Sequence, residues 1–411
     1  MFDVAVSCLV LTALLAYLNH RFVGLPISIG VMGIALLFSF VLLGLDKFGF
    51  SSLHDYEEAL LSSIDFSDLL MQGMLSMLLF AAALQVDLSE LKAFKWHIGA
   101  LAFFGTVASA LLVGFGLWAI VSYTGAALPF WYCLVFGALI SPTDPIAVMG
   151  ILKSAKAPKS VEIVIAGESL FNDGVGIVLF TVFLAVIVSG KPPTAGGITL
   201  LLLREAGGGI VFGLALGYLT YRMLKSIDSY QEEVLLTLAA VLGGYALATR
   251  LHVSGPLAMV VMGLIVGNHG RALAMSVRSR ANLDTFWSLL DAMLNAVLFM
   301  LIGLEFLVIE FPRWLALPAI VVIAITLGAR LLSVCGPIAV ARGAFDLPAG
   351  AWKVLTWGGL RGGISVALAL SLPAGRERDT VLALTYSVVV FSILVQGLTI
   401  RRLVRAQRWK S

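Results

Sequence analysis

The sequence contains little charge. Asp, Glu, Lys and Arg make up 12% of its 411 residues, whereas a soluble globular domain carries roughly 25%. Hydrophobic residues account for 60%, and the mean hydropathy is +1.01. A chain of this composition cannot surround its core with a charged surface. We therefore exclude a soluble globular domain and expect the lipid bilayer to be the solvent.

Cysteine and histidine are also scarce. The three cysteines, Cys8, Cys133 and Cys335, all lie in apolar segments, and the five histidines are scattered near segment ends. Neither set has the spacing that a disulfide framework or a zinc site needs. We therefore expect no cofactor.

Apolar segments recur along the whole chain, and about 20 apolar residues suffice to cross the hydrocarbon core as a helix. The sequence predicts an all-α polytopic membrane protein with about 13 transmembrane helices. The first segment lacks the basic start and cleavage site of a signal peptide, so we expect it to be retained. The predicted segments are about 3–19, 25–45, 68–88, 98–121, 128–151, 161–189, 206–224, 232–249, 255–269, 285–309, 314–341, 351–373 and 380–400.

Basic residues are distributed unevenly between the connections. The odd-numbered connections and the end of the chain carry most of the Lys and Arg, and the second connection is acidic. Cytoplasmic loops of membrane proteins carry this excess of positive charge. We predict an outer N-terminus and a cytoplasmic C-terminus, with 401–411 as a short basic tail. The pattern gives no support to nucleic-acid binding.

Two predicted helices contain breaks. In the fifth, Pro142 and Pro145 flank Thr143 and Asp144; in the twelfth, Arg361 lies between two Gly-Gly pairs. The two are seven helices apart, so they cross the bilayer in opposite directions. This pattern is typical of inverted repeats whose broken helices meet at the midplane of a secondary transporter. Asp144 and Arg361 could neutralise the half-helix ends; the alternative is that they are charges paired for packing alone.

The sixth predicted helix carries four polar residues in "GESLFNDGVGIVLF". Glu168, Ser169, Asn172 and Asp173 occupy positions i, i+1, i+4 and i+5, which predicts one polar stripe facing the bundle. Their oxygens suit a small hard cation such as Na⁺. Asp173 has no basic residue close in sequence, and burial favours the protonated form of a carboxyl group. Competition between a proton and Na⁺ for Asp173 would couple two fluxes.

At these residues the chain resembles the monovalent cation:proton antiporter family, of the sodium/proton exchanger type that includes bacterial NhaP-like proteins. Three signatures match in order, "SPTDPIAV", "GESLFNDGVGIVLF" and "WGGLRGGISVALALSLP", and "GARLLSV" fits a weaker fourth. The resemblance implies a non-enzymatic antiporter of the cytoplasmic membrane that serves pH and sodium homeostasis. It also implies a homodimer with elevator-type movement. The scaffold would comprise 1–90 and 206–310, and the moving core 98–189 and 314–400.

The resemblance also implies roles for individual residues. Asp173 would be the ion and proton carrier with Asn172 as its neighbour, and Na⁺ would bind at Asp173, Ser169 and Thr143. Asn172 before the carrier implies electroneutral exchange, since one carboxylate carries one Na⁺ or one H⁺.

The same resemblance assigns roles to the remaining charges and groups Asp144 with Asp173 and Asn172 among the residues of the transport site. Asp144 would stabilise the crossing of the broken helices. Glu168 would pair with Arg330, with Arg361 as the second candidate.

The sequence departs from the family at one position. Many members carry a Glu in the third helix, where this chain has Ala81 in "MLLFAAALQVDL". Gln85 or Asp87 are candidates to replace it. The choice between Na⁺, K⁺ and Li⁺ therefore stays open.

Two other functions fit some of these residues. A cation channel or uniporter of the same fold could use the same oxygens to conduct. An intramembrane hydrolase could use Ser169 as nucleophile. However, "GESLF" is not the Gly-x-Ser-x-Gly motif, and no histidine lies in a core helix to act as the base.

Overall fold

The structure is a computed structural model, which describes residues 2–46, 73–124, 128–190, 194–270, 275–305, 309, 311–340, 347–407 and 409. Throughout these residues the regular secondary structure is helical. The predicted all-α class is therefore confirmed.

Long and short α-helices follow one another along the chain. The first part of the chain forms α1 (Phe2–Leu18), α2 (Ile27–Asp46), α3 (Leu75–Leu84), α4 (Leu88–Ala93), α5 (Lys95–Gly99), α6 (Thr106–Thr124), α7 (Phe130–Ile140), α8 (Ile146–Ser154) and α9 (Lys159–Ser189). The second part forms α10 (Ala195–Leu202), α11 (Gly208–Leu224), α12 (Tyr230–Arg250), α13 (Gly255–Ile265), α14 (Val277–Glu305), α15 (Ala316–Val340), α16 (Ala351–Trp357), α17 (Gly363–Leu370), α18 (Arg376–Phe391) and α19 (Gly397–Ala406). Single π turns extend or join several of them, at Asn19–Val23, Ala100–Gly105, Leu203–Gly207, Val266–Gly270 and Ser392–Gln396.

Helical structure lies within each of the predicted membrane segments. Of the described residues, eight helices are long and apolar enough to cross a membrane, which makes this a multi-pass membrane protein. Shorter apolar helices, such as α3 and α7, occupy other predicted segments. The number 13 stays a prediction. The start of the third segment, 68–72, and the acidic second connection lie outside the described residues.

Three predicted boundaries differ clearly from the structure. The tenth helix begins at Val277 rather than near 285. The seventh helix begins at Ala195 rather than near 206, because the Thr194 hydroxyl caps it by accepting from the Gly197 amide at 3.1 Å. Arg204 and Glu205 therefore lie on a helical turn and not in a loop. The last helix continues through Ala406, so the first half of the predicted basic tail is helical.

The helices form two sets with extensive contacts inside each set. One set contains α6, α7, α9, α15, α17 and α18, and the other contains α2, α3 and α11 to α14. The two sets meet where α14 packs on α17 and α9 packs on α3 and α13. The broken helices lie at this junction, so the fold places the candidate site between the two sets.

Close approach of α6 and α7 depends on Gly137. A Cβ atom at this position would lie 2.9 Å from the Gly114 amide nitrogen and even nearer to the Ala110 carbonyl oxygen. The hydrophobic effect does not drive helices together inside a membrane. Helices associate there through close packing of their backbones, which small residues permit. Gly150 on α8 has no neighbouring atom within 4 Å of such a Cβ.

We expect Gly137→Ala to destabilise the fold by about 1–3 kcal/mol, because the added methyl group cannot be accommodated without moving backbone. Gly150→Ala, the matched control, should leave stability unchanged. Thermal unfolding in detergent would measure both. Equal unfolding temperatures for the two variants would contradict this account of the α6–α7 contact.

Candidate cation site

The two predicted breaks are present and touch each other. Between α7 and α8 the residues 141–145 are not helical, and the same is true of 358–362 between α16 and α17. Pro142 and Pro145 have no amide hydrogen and cannot continue the α7 ladder. The Asp144 amide instead donates to the Leu360 carbonyl oxygen at 2.7 Å. The predicted crossing of two broken helices is therefore confirmed.

Charged side chains satisfy the half-helix ends at this crossing. The Arg361 guanidinium donates to the carbonyl oxygen of Pro142 at 2.8 Å and to that of Ser141, at the negative end of α7. The Asp144 carboxylate accepts from the Ile146 amide at 2.9 Å, at the positive end of α8. Each charge therefore lies at the helix end of opposite sign.

The Asp144 carboxylate also lies beside the start of α17. A Cβ atom at Gly362 would be 2.7 Å from the Asp144 Cβ. Only a glycine permits this approach, so the Gly-Gly pair predicted as a helix break also makes room for the acid. Asp144 consequently lies near the positive ends of two half-helices.

Three polar side chains tie α9 to the first break. The Asn172 amide donates to Thr143 Oγ1 at 2.8 Å, and its oxygen accepts from the Thr143 amide at 3.3 Å. The Ser169 hydroxyl lies 2.6 Å from the Thr143 carbonyl oxygen and 2.9 Å from its hydroxyl. All three residues are buried. This network fixes the positions of the Thr143 and Ser169 oxygens.

Asp173 has a different environment from its neighbours on α9. Its side chain is 8% exposed and lines a cavity of about 380 Å³. Among the described residues, none forms a hydrogen bond or an ion pair with its carboxylate. Thr143, Asp144 and Ser169 line the same cavity, whereas Asn172 does not. The cavity thus has an uncompensated carboxylate with hydroxyl oxygens beside it.

The opposite wall of the cavity comes from α3 and α14. Ala82 and Gln85 line it, but Ala81 does not. Gln85 and Asp87, the two candidates for the missing family Glu, both face the cavity. Asp291 and Asn295 line the α14 part of the wall. Asn295 was not predicted as a site residue, although its spacing of four from Asp291 in an apolar helix was a usable signal.

The mouth of the cavity is charged. Its lining includes Glu90, Lys153, Lys159 and Glu162, and Lys159 pairs with Glu90 at 3.5 Å. These residues belong to the third and fifth connections and the start of α9. The cavity therefore opens on the side that the charge pattern predicts to be cytoplasmic.

Glu168 points away from the cavity. Arg330 of α15 donates to both of its carboxylate oxygens, at 2.9 Å for the Nη2–Oε2 pair, and also to the Leu355 carbonyl oxygen at 2.9 Å. Glu168 is 1% exposed and Arg330 6%. The structure places Glu168 with Arg330, and Arg361 at the α7 carbonyl groups instead.

The predicted polar stripe on α9 is therefore divided in three. Glu168 binds Arg330, Ser169 and Asn172 bind Thr143, and Asp173 faces the cavity. Residues at i and i+1 on a helix point about 100° apart. The four polar residues of α9 therefore point in different directions and meet Arg330, Thr143 and the cavity.

Comparison with known proteins identifies the family. Residues 10–406 match the model of the transmembrane region of sodium/hydrogen exchangers. The chain belongs to the sodium/hydrogen exchanger family. The resemblance noted from the sequence motifs is therefore confirmed.

Relatives match over nearly the whole chain. A protein of Pseudomonas aeruginosa named Na(+)/H(+) antiporter NhaP is 52% identical over 98% of this chain and 96% of its own length. A protein of Halobacillus dabanensis named Na(+)/H(+) antiporter NhaH is 36% identical, over 93% and 95%. The solved structure of the sodium proton antiporter MjNhaP1 from Methanocaldococcus jannaschii superposes with a TM-score of 0.69. It is 20% identical and covers 92% of this chain and 98% of its own, which supports the fold.

We expect Arg330→Ala to lower stability far more than Asp173→Asn. Removal of one partner from a buried ion pair costs about 3–5 kcal/mol, whereas Asp173 has no ion-pair partner among the residues that the structure describes. Thermal unfolding of the two purified variants in detergent would compare them. The double variant Glu168→Gln/Arg330→Gln should recover part of the loss, because it leaves no buried charge unpaired. Equal unfolding temperatures for the two single variants would count against a structural role for the pair.

Proposed function

We propose that this protein is a secondary active antiporter that exchanges Na⁺ for H⁺ across the cytoplasmic membrane, and not an enzyme. The observation that carries the proposal is the Asp173 carboxylate, which lines a cavity beside two crossed half-helices without a described partner. A relative 52% identical over nearly its full length bears the name of a Na⁺/H⁺ antiporter. Its place in the cell would be pH and sodium homeostasis.

Exchange follows from competition at one group. An ionised Asp173 binds Na⁺ together with the oxygens of Ser169 and Thr143, which line the same cavity. A protonated Asp173 is neutral and has no affinity for the ion. Burial disfavours a bare carboxylate. Asp173 therefore crosses the membrane with either Na⁺ or H⁺ bound. No cofactor is required, and Na⁺ and H⁺ are the cargo.

The neighbouring amide limits the charge that is carried. Asn172 is fully buried and bonded to Thr143, so it organises the break rather than binding the ion directly. Of these two neighbouring residues, Asp173 is therefore the one that exchanges Na⁺ for H⁺. We infer one Na⁺ for one H⁺, which is electroneutral exchange.

Alternating access would be a movement of the core, 98–189 and 314–400, against a scaffold of 1–90 and 206–310. The Glu168–Arg330 pair joins α9 to α15 inside this core, which would let the core move as one body. The scaffold would form the contact of a homodimer. The cavity opens towards the side proposed as cytoplasmic, so the present arrangement corresponds to an inward-facing state with an outer N-terminus and a cytoplasmic C-terminus.

The other functions have less support. Conduction requires weak binding at several sites, whereas Asp173 is one buried carboxylate that competes for a proton. Hydrolysis would need a base beside Ser169. Its hydroxyl contacts Thr143, and no histidine is among the described residues that line the cavity.

We expect Asp173→Asn to abolish exchange without unfolding the protein, since an amide neither releases a proton nor balances Na⁺. Proteoliposomes with an acidic interior would receive Na⁺, K⁺ or Li⁺ outside, and proton efflux would be recorded. Empty liposomes provide the background. Wild-type rates in Asp173→Asn would refute the carrier role, and the relative rates for the three ions would establish the cation preference.

We also expect the wild-type exchange rate to be the same at zero and at inside-negative voltage, because one positive charge moves each way. The same proteoliposomes, clamped with potassium and valinomycin, would measure this with Na⁺ as substrate. A rate that changes with voltage would contradict the one-for-one stoichiometry. Voltage-driven Na⁺ flux without proton movement would indicate a channel.

A further inference from the structure

The cavity that Asp173 lines has an acidic group on each wall. Asp144 and Asp173 belong to the wall formed by the broken helix and α9, and Asp291 belongs to the wall formed by α14. Because all three carboxyl groups line one cavity, any two of them repel each other when both are ionised. The two walls therefore each present an acidic side chain to the same space.

Asp291 is held in place by a neutral donor. The Asn295 amide, one turn further along α14, donates to Asp291 Oδ1 at 3.0 Å and to its carbonyl oxygen at 2.8 Å. Within the described part of the chain, Asp291 has no ion-pair partner. Its carboxylate is thus oriented but not neutralised.

Basic side chains are confined to the mouth of this cavity. The basic residues of the described lining are Lys153 and Lys159, and Lys159 pairs with Glu90. Deeper in the cavity the charged groups are Asp144, Asp173 and Asp291. A small cation between the walls would relieve the repulsion among them, and carboxylate and amide oxygens are the ligands that hard cations prefer.

We propose that Asp291 and Asn295 form a second cation subsite on the α14 wall, which binds Na⁺ or a similar monovalent cation arriving from the cytoplasmic mouth. This inference rests on the proposed function. Asp291 raises the occupancy of the cavity and delivers the ion to Asp173. Asn295 is a positioning residue that orients the carboxylate.

The location of the subsite gives it a direction. Asp291 lies on α14, in the proposed scaffold, whereas Asp173 lies in the proposed moving core. When the core presents Asp173 to the outer side, Asp291 stays behind. The subsite therefore increases Na⁺ affinity at the cytoplasmic face and not at the outer face.

The test is a side-specific measurement of the KM for Na⁺ in inverted and right-side-out vesicles from a host without its own sodium/proton antiporters. In inverted vesicles the cytoplasmic face meets the added Na⁺. We expect Asp291→Asn to raise KM about three- to tenfold there, since a negative charge is lost from the wall of the cavity that the ion enters. The KM in right-side-out vesicles and the maximal rate should not change.

Three further variants make the result specific. Asp291→Glu should restore most of the cytoplasmic affinity, because it returns the charge. Asn295→Ala should raise the cytoplasmic KM less than Asp291→Asn does. If Asp291→Asn does not fold stably, the KM of Asn295→Ala tests the subsite in its place. Glu305→Gln removes a carboxylate from the same helix outside the cavity lining, and its KM should match wild type.

Each outcome decides a separate question. An unchanged cytoplasmic KM in both Asp291→Asn and Asn295→Ala, with Asp173→Asn inactive, would overturn the subsite and leave the antiporter proposal standing. An equal rise of KM at both faces would overturn the side-specific role. Absence of exchange in the wild type would refute the proposed function itself.

Discussion

The contact between the two broken helices is the constraint on which the rest of the site depends. A helix interrupted inside a membrane exposes backbone groups that lipid cannot bond, at a cost of several kcal/mol for each unsatisfied group. The chain supplies partners from three directions: Arg361 for the α7 carbonyl oxygens, Asp144 for the α8 amide, and Leu360 for the Asp144 amide. The π turn at Ser392–Gln396 supplies more, since Ser392 accepts from the Arg361 amide and Gln396 donates to the Trp357 carbonyl oxygen. The opened backbone is stable only as a pair of breaks with these charges in place.

This constraint explains which features the sequence revealed. A broken helix is the simplest physical explanation for proline inside an apolar segment, and also for a charge between two Gly-Gly pairs. The crossing at Asp144 and Arg361 could therefore be predicted. The all-α class followed from the length of the apolar runs. The helix ends at Ala195 and Ala406 could not be predicted, because a threonine cap and an amphipathic last turn are weak signals beside a long apolar run.

The site was less predictable than the fold, because helical spacing fixes a face but not its neighbour. Glu168 and Asn172 share a stripe, yet one binds Arg330 and the other Thr143. Asp291 and Asn295 lie more than 100 residues beyond Asp173 in the sequence, and the packing of α14 against α3 and α17 brings them to the same cavity. A single polar residue in an apolar helix indicates that it has a polar environment. The tertiary structure is needed to show which residues or cavity provide that environment.

Glu168 and Asp173 lie on one helix but have different roles. Glu168 forms a permanent ion pair, and Asp173 is proposed to exchange cations. Both are withdrawn from water, which disfavours an isolated ion. Glu168 overcomes this with a two-point contact to Arg330, which is itself bonded to Leu355, so this charge is fixed. Asp173 has no such partner among the described residues and borders a cavity instead. A carboxylate with a permanent arginine would gain little from either Na⁺ or a proton. The absence of a fixed counter-charge at Asp173, five residues from a fully compensated one, is therefore what leaves this position available to exchange one cation for another.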